Sequence, residues 1–129
     1  MHGMDADLSP NSPAAVSEGF VAAINKGDLT GALTLYRDDA VMLAPDGSQA
    51  RGAKAISELL AGVITMQVQM TTRIKTLIET GDIAIAAEKW TMRLHAPDGT
   101  TNDQSGQSIV LFTREHAGWR FLIDAPWGL

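Results

Sequence analysis

The sequence predicts an α+β fold, with three helices in its first half and a four-strand antiparallel meander in its second. The apolar period changes from helical to strictly alternating near Val68. Beyond that point turn signals (Gly81-Asp82, Ala96 to Gly99, His116-Ala117-Gly118) cut the chain into strand-length pieces. A length of 129 residues suits one domain, with enough core to fold without disulfides or metal.

Residues 1–11 show no periodicity and read as a disordered tail, leaving a single domain over 12–129. Ser12 at the N-cap and Pro13 at the first helical position open a helix whose Val16, Phe20 and Ile24 share one face. Lys26-Gly27 ends it, Lys complementing the dipole and Gly supplying the left-handed residue. Asp28 then caps a second helix expected to run to about Asp38, burying Leu29, Leu33 and Tyr36. Val41-Met42-Leu43 reads as a brief strand. After Gly52, the spacing of Ile56, Leu59, Leu60, Val63 and Ile64 marks the third helix. Val68 to Ile78 alternates as a long strand, and Ile83 to His95, about Asn102 to Glu115, and Trp119 to Trp127 complete the meander. The tetrapeptide APDG occurs at Ala44 to Gly47 and Ala96 to Gly99. Its flanks differ, and Pro, Asp and Gly in that order suit a turn. It therefore marks neither a repeat nor a phosphate loop.

The formal charge of −5, with its ten Lys and Arg residues scattered, leaves no basic patch for nucleic acid. With no cysteine, thiol nucleophiles, zinc–thiolate sites and iron–sulfur clusters are excluded. The polar stretch MHGMDADLSPNSP lacks the apolar segment of a signal peptide, and no run approaches the roughly 20 apolar residues of a membrane span, so a cytoplasmic protein is expected. His2, His95 and His116 lack metal-ligand spacing, and no metal or cofactor is expected. Ser105 and Ser108 have no histidine at a readable spacing for a nucleophilic triad.

The order of elements and the stretches FVAAINKGDLTGALTLYRDDAVMLAPDGSQARGAKAI, GDIAIAAEKW and GWRFLIDAPWG resemble the nuclear transport factor 2-like superfamily with its cystatin-like fold. Within it the likeness is to the SnoaL-like, DUF4440 and ketosteroid isomerase-like groups, over residues 13–128. The resemblance implies a strongly curved sheet wrapped on the helices into a cone with an apolar pocket, and a homodimer through the sheet. Ketosteroid isomerases of this superfamily use a carboxylate base and an oxyanion hole of Tyr and protonated Asp. Matched to their pattern, this chain has Phe20 in place of the Tyr, Ala44 in place of the base and Val110 in place of the Asp. The resemblance therefore does not extend to their mechanism, which needs the base and both donors. The Asp, Arg, Asp set of the epoxide hydrolases is not placeable either, since Arg93 is followed two places on by His95.

By the same carry-over, the pocket lining would include Phe20, Tyr36, Ala44, Leu60, Val63, Val110, Phe112 and Trp127, with Trp90 as a pocket or interface aromatic and Trp127 at the mouth. Glu88 shares one face of its strand with Ala84, Ala86, Trp90 and Met92; facing inward it would be a desolvated acid or base, facing outward an interface or solvated charge. Strict alternation puts Asp124 and Arg120 on the face opposite Trp119 and Phe121, as solvated or interface groups. Three functions follow: a binding protein for a small hydrophobic molecule, a cofactor-free isomerase, lyase or cyclase using Glu88, or a dimerisation module with a filled pocket.

Overall fold

The computed structural model describes residues 10–116 and 118–129. The predicted tail lies outside them except for Pro10 and Asn11, and the Pro10 carbonyl accepts from the Trp119 amide at 2.9 Å. The elements are α1 (Pro13–Lys26), α2 (Leu29–Leu33), β1 (Tyr36–Leu43), β2 (Gln49–Arg51), α3 (Gly52–Thr65), β3 (Gln69–Thr80), β4 (Ile83–His95), β5 (Thr101–Glu115) and β6 (Gly118–Ala125). They form the α+β, cystatin-like architecture, with three helices held by one curled sheet of six strands in the order β2-β1-β6-β5-β4-β3.

Local chemistry sets the helix ends. The Ser12 hydroxyl accepts from the Ala15 amide at 3.1 Å, and Gly27 at φ 74° closes α1 while its amide donates to the Ile24 carbonyl at 3.0 Å. Asp28 caps α2 by accepting from the Gly31 amide at 2.9 Å. α1 buries Val16, Ser17, Ala23 and Ile24; α3 buries Ile56 and Leu60. The Asn25 amide group joins α1 to the free edge of β3, donating to the Met70 carbonyl at 3.0 Å and accepting from its amide at 2.7 Å.

The second helix is shorter than its apolar spacing suggests. It stops at Leu33, and Tyr36 begins a strand in which Tyr36, Ala40 and Met42 are buried at even spacing. That strand lies parallel to β6, with the Phe121 amide donating to the Leu35 carbonyl at 2.8 Å. Pairing with the other end of the chain thus overrides the helical spacing of Leu29, Leu33 and Tyr36. The first APDG also joins antiparallel strands, β1 and β2. Its geometry repeats in the second copy: Gly47 donates to the Ala44 carbonyl and Gly99 to that of Ala96, at 2.9 and 3.0 Å. Asp46 and Asp98 each accept from the amide two residues on, at 2.9 and 3.0 Å.

Strand β6 departs from strict alternation. Val110 and Leu111 of β5 pair with Asp124 and Ile123, but Phe112 pairs with Phe121, so Leu122 is an extra residue in the ladder. A bulge of this kind reverses the side-chain phase beyond it. Phe121 and Asp124 therefore both face the helices, and Ile123 faces out. The expectation that Asp124 is a solvated or interface group is corrected: it is 6% exposed.

Candidate functional site

The helices and the concave sheet face leave a cavity of about 310 Å³. Its wall is mostly hydrocarbon, thioether and aromatic, with Phe20 and Val21 from α1, Leu59, Leu60 and Val63 from α3, and Met42, Met70, Met92 and Phe121 from the strands. Trp90, Pro126 and Trp127 lie together at the C-terminal side. Trp90 donates its indole N–H to the Pro126 carbonyl at 2.6 Å and meets Trp127 edge-on, with ring centres 4.8 Å apart. Gly106, the cross-strand neighbour of Trp90, makes room for that indole: a β-carbon there would stand 2.7 Å from it.

The residues named from the sequence divide into two groups. Phe20, Ala44, Leu60, Val63, Glu88, Trp90, Val110 and Trp127 line the cavity. Tyr36 and Phe112 do not: Phe112 is wholly buried and stacks on Phe121 at 5.3 Å, which covers it. Tyr36 sits behind Phe20 and Phe121, at ring distances of 6.1 and 4.9 Å, because it belongs to β1 rather than to a helix. Only the action of its hydroxyl reaches the cavity, through a hydrogen bond of 2.7 Å donated to Asp124 Oδ2.

Two carboxylates face this apolar space. Glu88, 5% exposed, points inward from β4 and accepts from Ser17 at 2.5 Å on Oε2 and from Thr72 at 3.2 Å on Oε1. Burial raises its pKa, against the lowering effect of the two hydroxyls. Asp124 is the second. Burial, opposed by the Tyr36 hydrogen bond and assisted by the charge of Glu88, pushes it up to about 6. Tyr36, buried beside those acids, is raised well above its usual range and stays a hydrogen-bond donor. A carboxyl group titrating near neutrality inside a cavity can hold, give or take a proton at physiological pH. Asp124 is also the cross-strand partner of Val110. A carboxyl group therefore stands beside Val110 on the adjacent strand.

Asp124 is the residue that sequence reasoning missed. The run Phe121-Leu122-Ile123 was its available signal, three apolar residues in a row where a one-sided strand would show one polar interruption. Among the described residues the remaining charges lie outside the cavity: Arg37 pairs with Asp39 at 2.8 Å, Arg93 with Asp103 at 2.7 Å and Arg114 with Asp82 at 3.1 Å. Among the described residues no cluster of His, Asp or Glu is arranged to hold a metal, and no helix is long and apolar enough to cross a membrane.

Residues 17–121 match the family described as SnoaL-like domain. Among solved structures, the chain is similar to a ketosteroid isomerase-like protein from Erwinia carotovora atroseptica, at 21% identity over 87% of this chain and 89% of that one, with a TM-score of 0.76. A putative calcium/calmodulin-dependent protein kinase type II association domain from Thiobacillus denitrificans gives the same TM-score, 0.76, at 15% identity over 92% and 97% of the two chains. An NTF2-like protein with a cystatin-like fold from Novosphingobium aromaticivorans follows at 0.73, with 19% identity over 85% and 75%. At these identities the likeness is one of fold, and relatives of such different description share it.

Proposed function

We propose that this chain, which belongs to the SnoaL-like domain family, binds a small, largely hydrophobic molecule in its cone. The cavity carries the proposal: a space of about 310 Å³ with apolar walls and a few convergent polar groups, within the range of roughly 300 to 1,000 Å³ usual for ligand sites. It also speaks against a dimerisation module with a filled pocket, since Phe112 lies behind the wall and Trp90 and Trp127 leave the space open. Apolar contact supplies affinity, and Glu88 and Asp124 orient the ligand. Calorimetry with a panel of neutral lipophilic compounds tests this, with Val63→Trp as the blocked control. Ligand saturating at about 100 times its Kd should stabilise the fold by about 2.7 kcal/mol. Equal binding by Val63→Trp would place the ligand elsewhere and overturn the proposal.

A second reading rests on the inward carboxylates. Glu88 and Asp124, held by different partners in one cavity, make an acid–base pair suited to a cofactor-independent isomerase, lyase or cyclase. Its signature is deuterium from solvent entering a bound carbonyl compound, lost in Glu88→Gln. Retention of that exchange in Glu88→Gln would exclude Glu88 as the base.

The partner proposed for the outer face of the sheet is a second copy of the chain. Ile78, Ile85, Leu111 and Ile123 are successive cross-strand neighbours on β3, β4, β5 and β6, and form an apolar row across the sheet. Ile78 is 59% exposed and Ile85 41%, a contiguous surface that a free domain leaves unfavourably in water. Light scattering should give twice the chain mass of 13.8 kDa, falling to the single value in Ile85→Glu. A wild-type monomer at micromolar concentration would dismiss the dimer.

A further inference from the structure

Neither cavity carboxylate has a basic partner: among the described residues, no Lys, Arg or His lines the cavity. Glu88 is held by two hydroxyls, and Asp124 uses only Oδ2, on Tyr36. Asp124 Oδ1 accepts no hydrogen bond from any described residue, although the side chain is buried and lines the space. A buried carboxylate without a countercharge is costly, and a donor that also carries positive charge is its best complement.

Resting on the reading of the cone as a ligand pocket, we propose that its ligand is a small apolar amine. It would be bound as the ammonium cation, with Asp124 Oδ1 as its main partner and Glu88 as the second charge. The walls suit such a guest. Phe20, Phe121 and Trp90 present rings to the same space, and aromatic faces attract cations. Met42, Met70 and Met92 give a soft surface that adapts to an apolar body. An organic anion would lose its hydration to meet two acids and no base. An alcohol of the same shape could donate one hydrogen bond but would leave the charge of Asp124 uncompensated. Asp124 titrates near 6 and is mostly ionised at a mildly alkaline pH, when an alkylamine is still protonated.

Three compounds of one shape make the test: 4-phenylbutylamine, 4-phenylbutan-1-ol and 4-phenylbutyrate. Each is titrated at about pH 7.5 against the full chain loaded with the neutral dye N-phenyl-1-naphthylamine, whose emission reports cone occupancy. The amine should displace the dye at a concentration about tenfold or more below the alcohol, the margin expected between a charged and a neutral hydrogen bond, and the acid should not displace it. In Asp124→Asn, which keeps an acceptor for Tyr36, the amine should fall to the level of the alcohol while the alcohol changes less than about twofold. Glu88→Gln provides an independent second variant, in which the amine's advantage should shrink. Dye that binds and is displaced equally well by alcohol and amine, or best by the acid, overturns the amine proposal alone. Dye that does not bind, with no response to any of the three compounds, overturns the pocket reading as well.

Discussion

Asp124→Asn should make the protein more stable at neutral pH. The substitution keeps the shape of the side chain and an oxygen for the Tyr36 hydroxyl, and removes only the titration. In the folded chain Asp124 titrates near 6, above its ordinary 3.8, so the fold holds this proton more tightly than the unfolded chain does. Its contribution is therefore complete below about pH 3.8 and is lost as pH rises through about 6. At about 1.4 kcal/mol per pH unit, that interval amounts to about 3 kcal/mol. Glu88, also raised, acts in the same direction in both proteins. The exposed acids Asp39, Asp46, Asp98 and Asp103 are lowered by their partners, act in the opposite direction and cancel in the comparison. Urea unfolding of wild type and variant between about pH 3.5 and 8 measures the difference. The two should be close in acid and diverge as pH rises, the variant gaining about 3 kcal/mol by pH 8. A difference independent of pH, or one favouring the wild type as pH rises, would refute the burial of an unpaired Asp124 charge.

Other substitutions probe the same walls. Tyr36→Phe removes the hydrogen bond to Asp124 and should cost about 1.5 to 3 kcal/mol at pH 8, where the acid is charged, and less at pH 5, as read by the same unfolding curves. Gly106→Ala sets a β-carbon against an indole already tied to Pro126; a loss of about 1 to 3 kcal/mol and a shift in tryptophan emission are expected, and an unchanged spectrum would contradict the contact. Asn25→Ala leaves the Met70 amide and carbonyl at the β3 edge without their side-chain partner; faster amide exchange at Met70 and a loss of about 1 kcal/mol should follow.

What the sequence made legible was what local chemistry decides. Ser12, Pro13 and Gly27 delimit α1 because caps act over one turn, and β4 runs from Ile83 to His95 as read, since Gly81-Asp82 and the second APDG bracket an unbroken alternation. The family likeness carried the cone. What stayed hidden depends on partners far away in the chain. Tyr36 fits the helical spacing of α2 as well as the alternation of β1, and the parallel neighbour that decides between them is β6, whose Phe121 pairs with Tyr36. Gln49–Arg51 is too short to show a period of its own and is a strand because β1 lies beside it. The facing of Glu88 was left open by the sequence, and its burial under α1, with Ser17 against it, is a tertiary outcome. Strict alternation puts Asp124 on the wrong face because the run Phe121-Leu122-Ile123 signals that the alternation breaks but not the residue at which it skips.

That skipped residue makes the bulge in β6 a determinant of what the cone contains. Were Leu122 taken into the ladder as a regular residue, the two residues that follow would exchange faces: Ile123 would turn into the cone and Asp124 out to the surface. A binding chamber with two acids would become one with a single acid, without any change in the amino-acid sequence. When chains of this fold are aligned, an acid at this point of the last strand therefore belongs to the cone only where its phase along the ladder matches that of Val110 on the neighbouring strand.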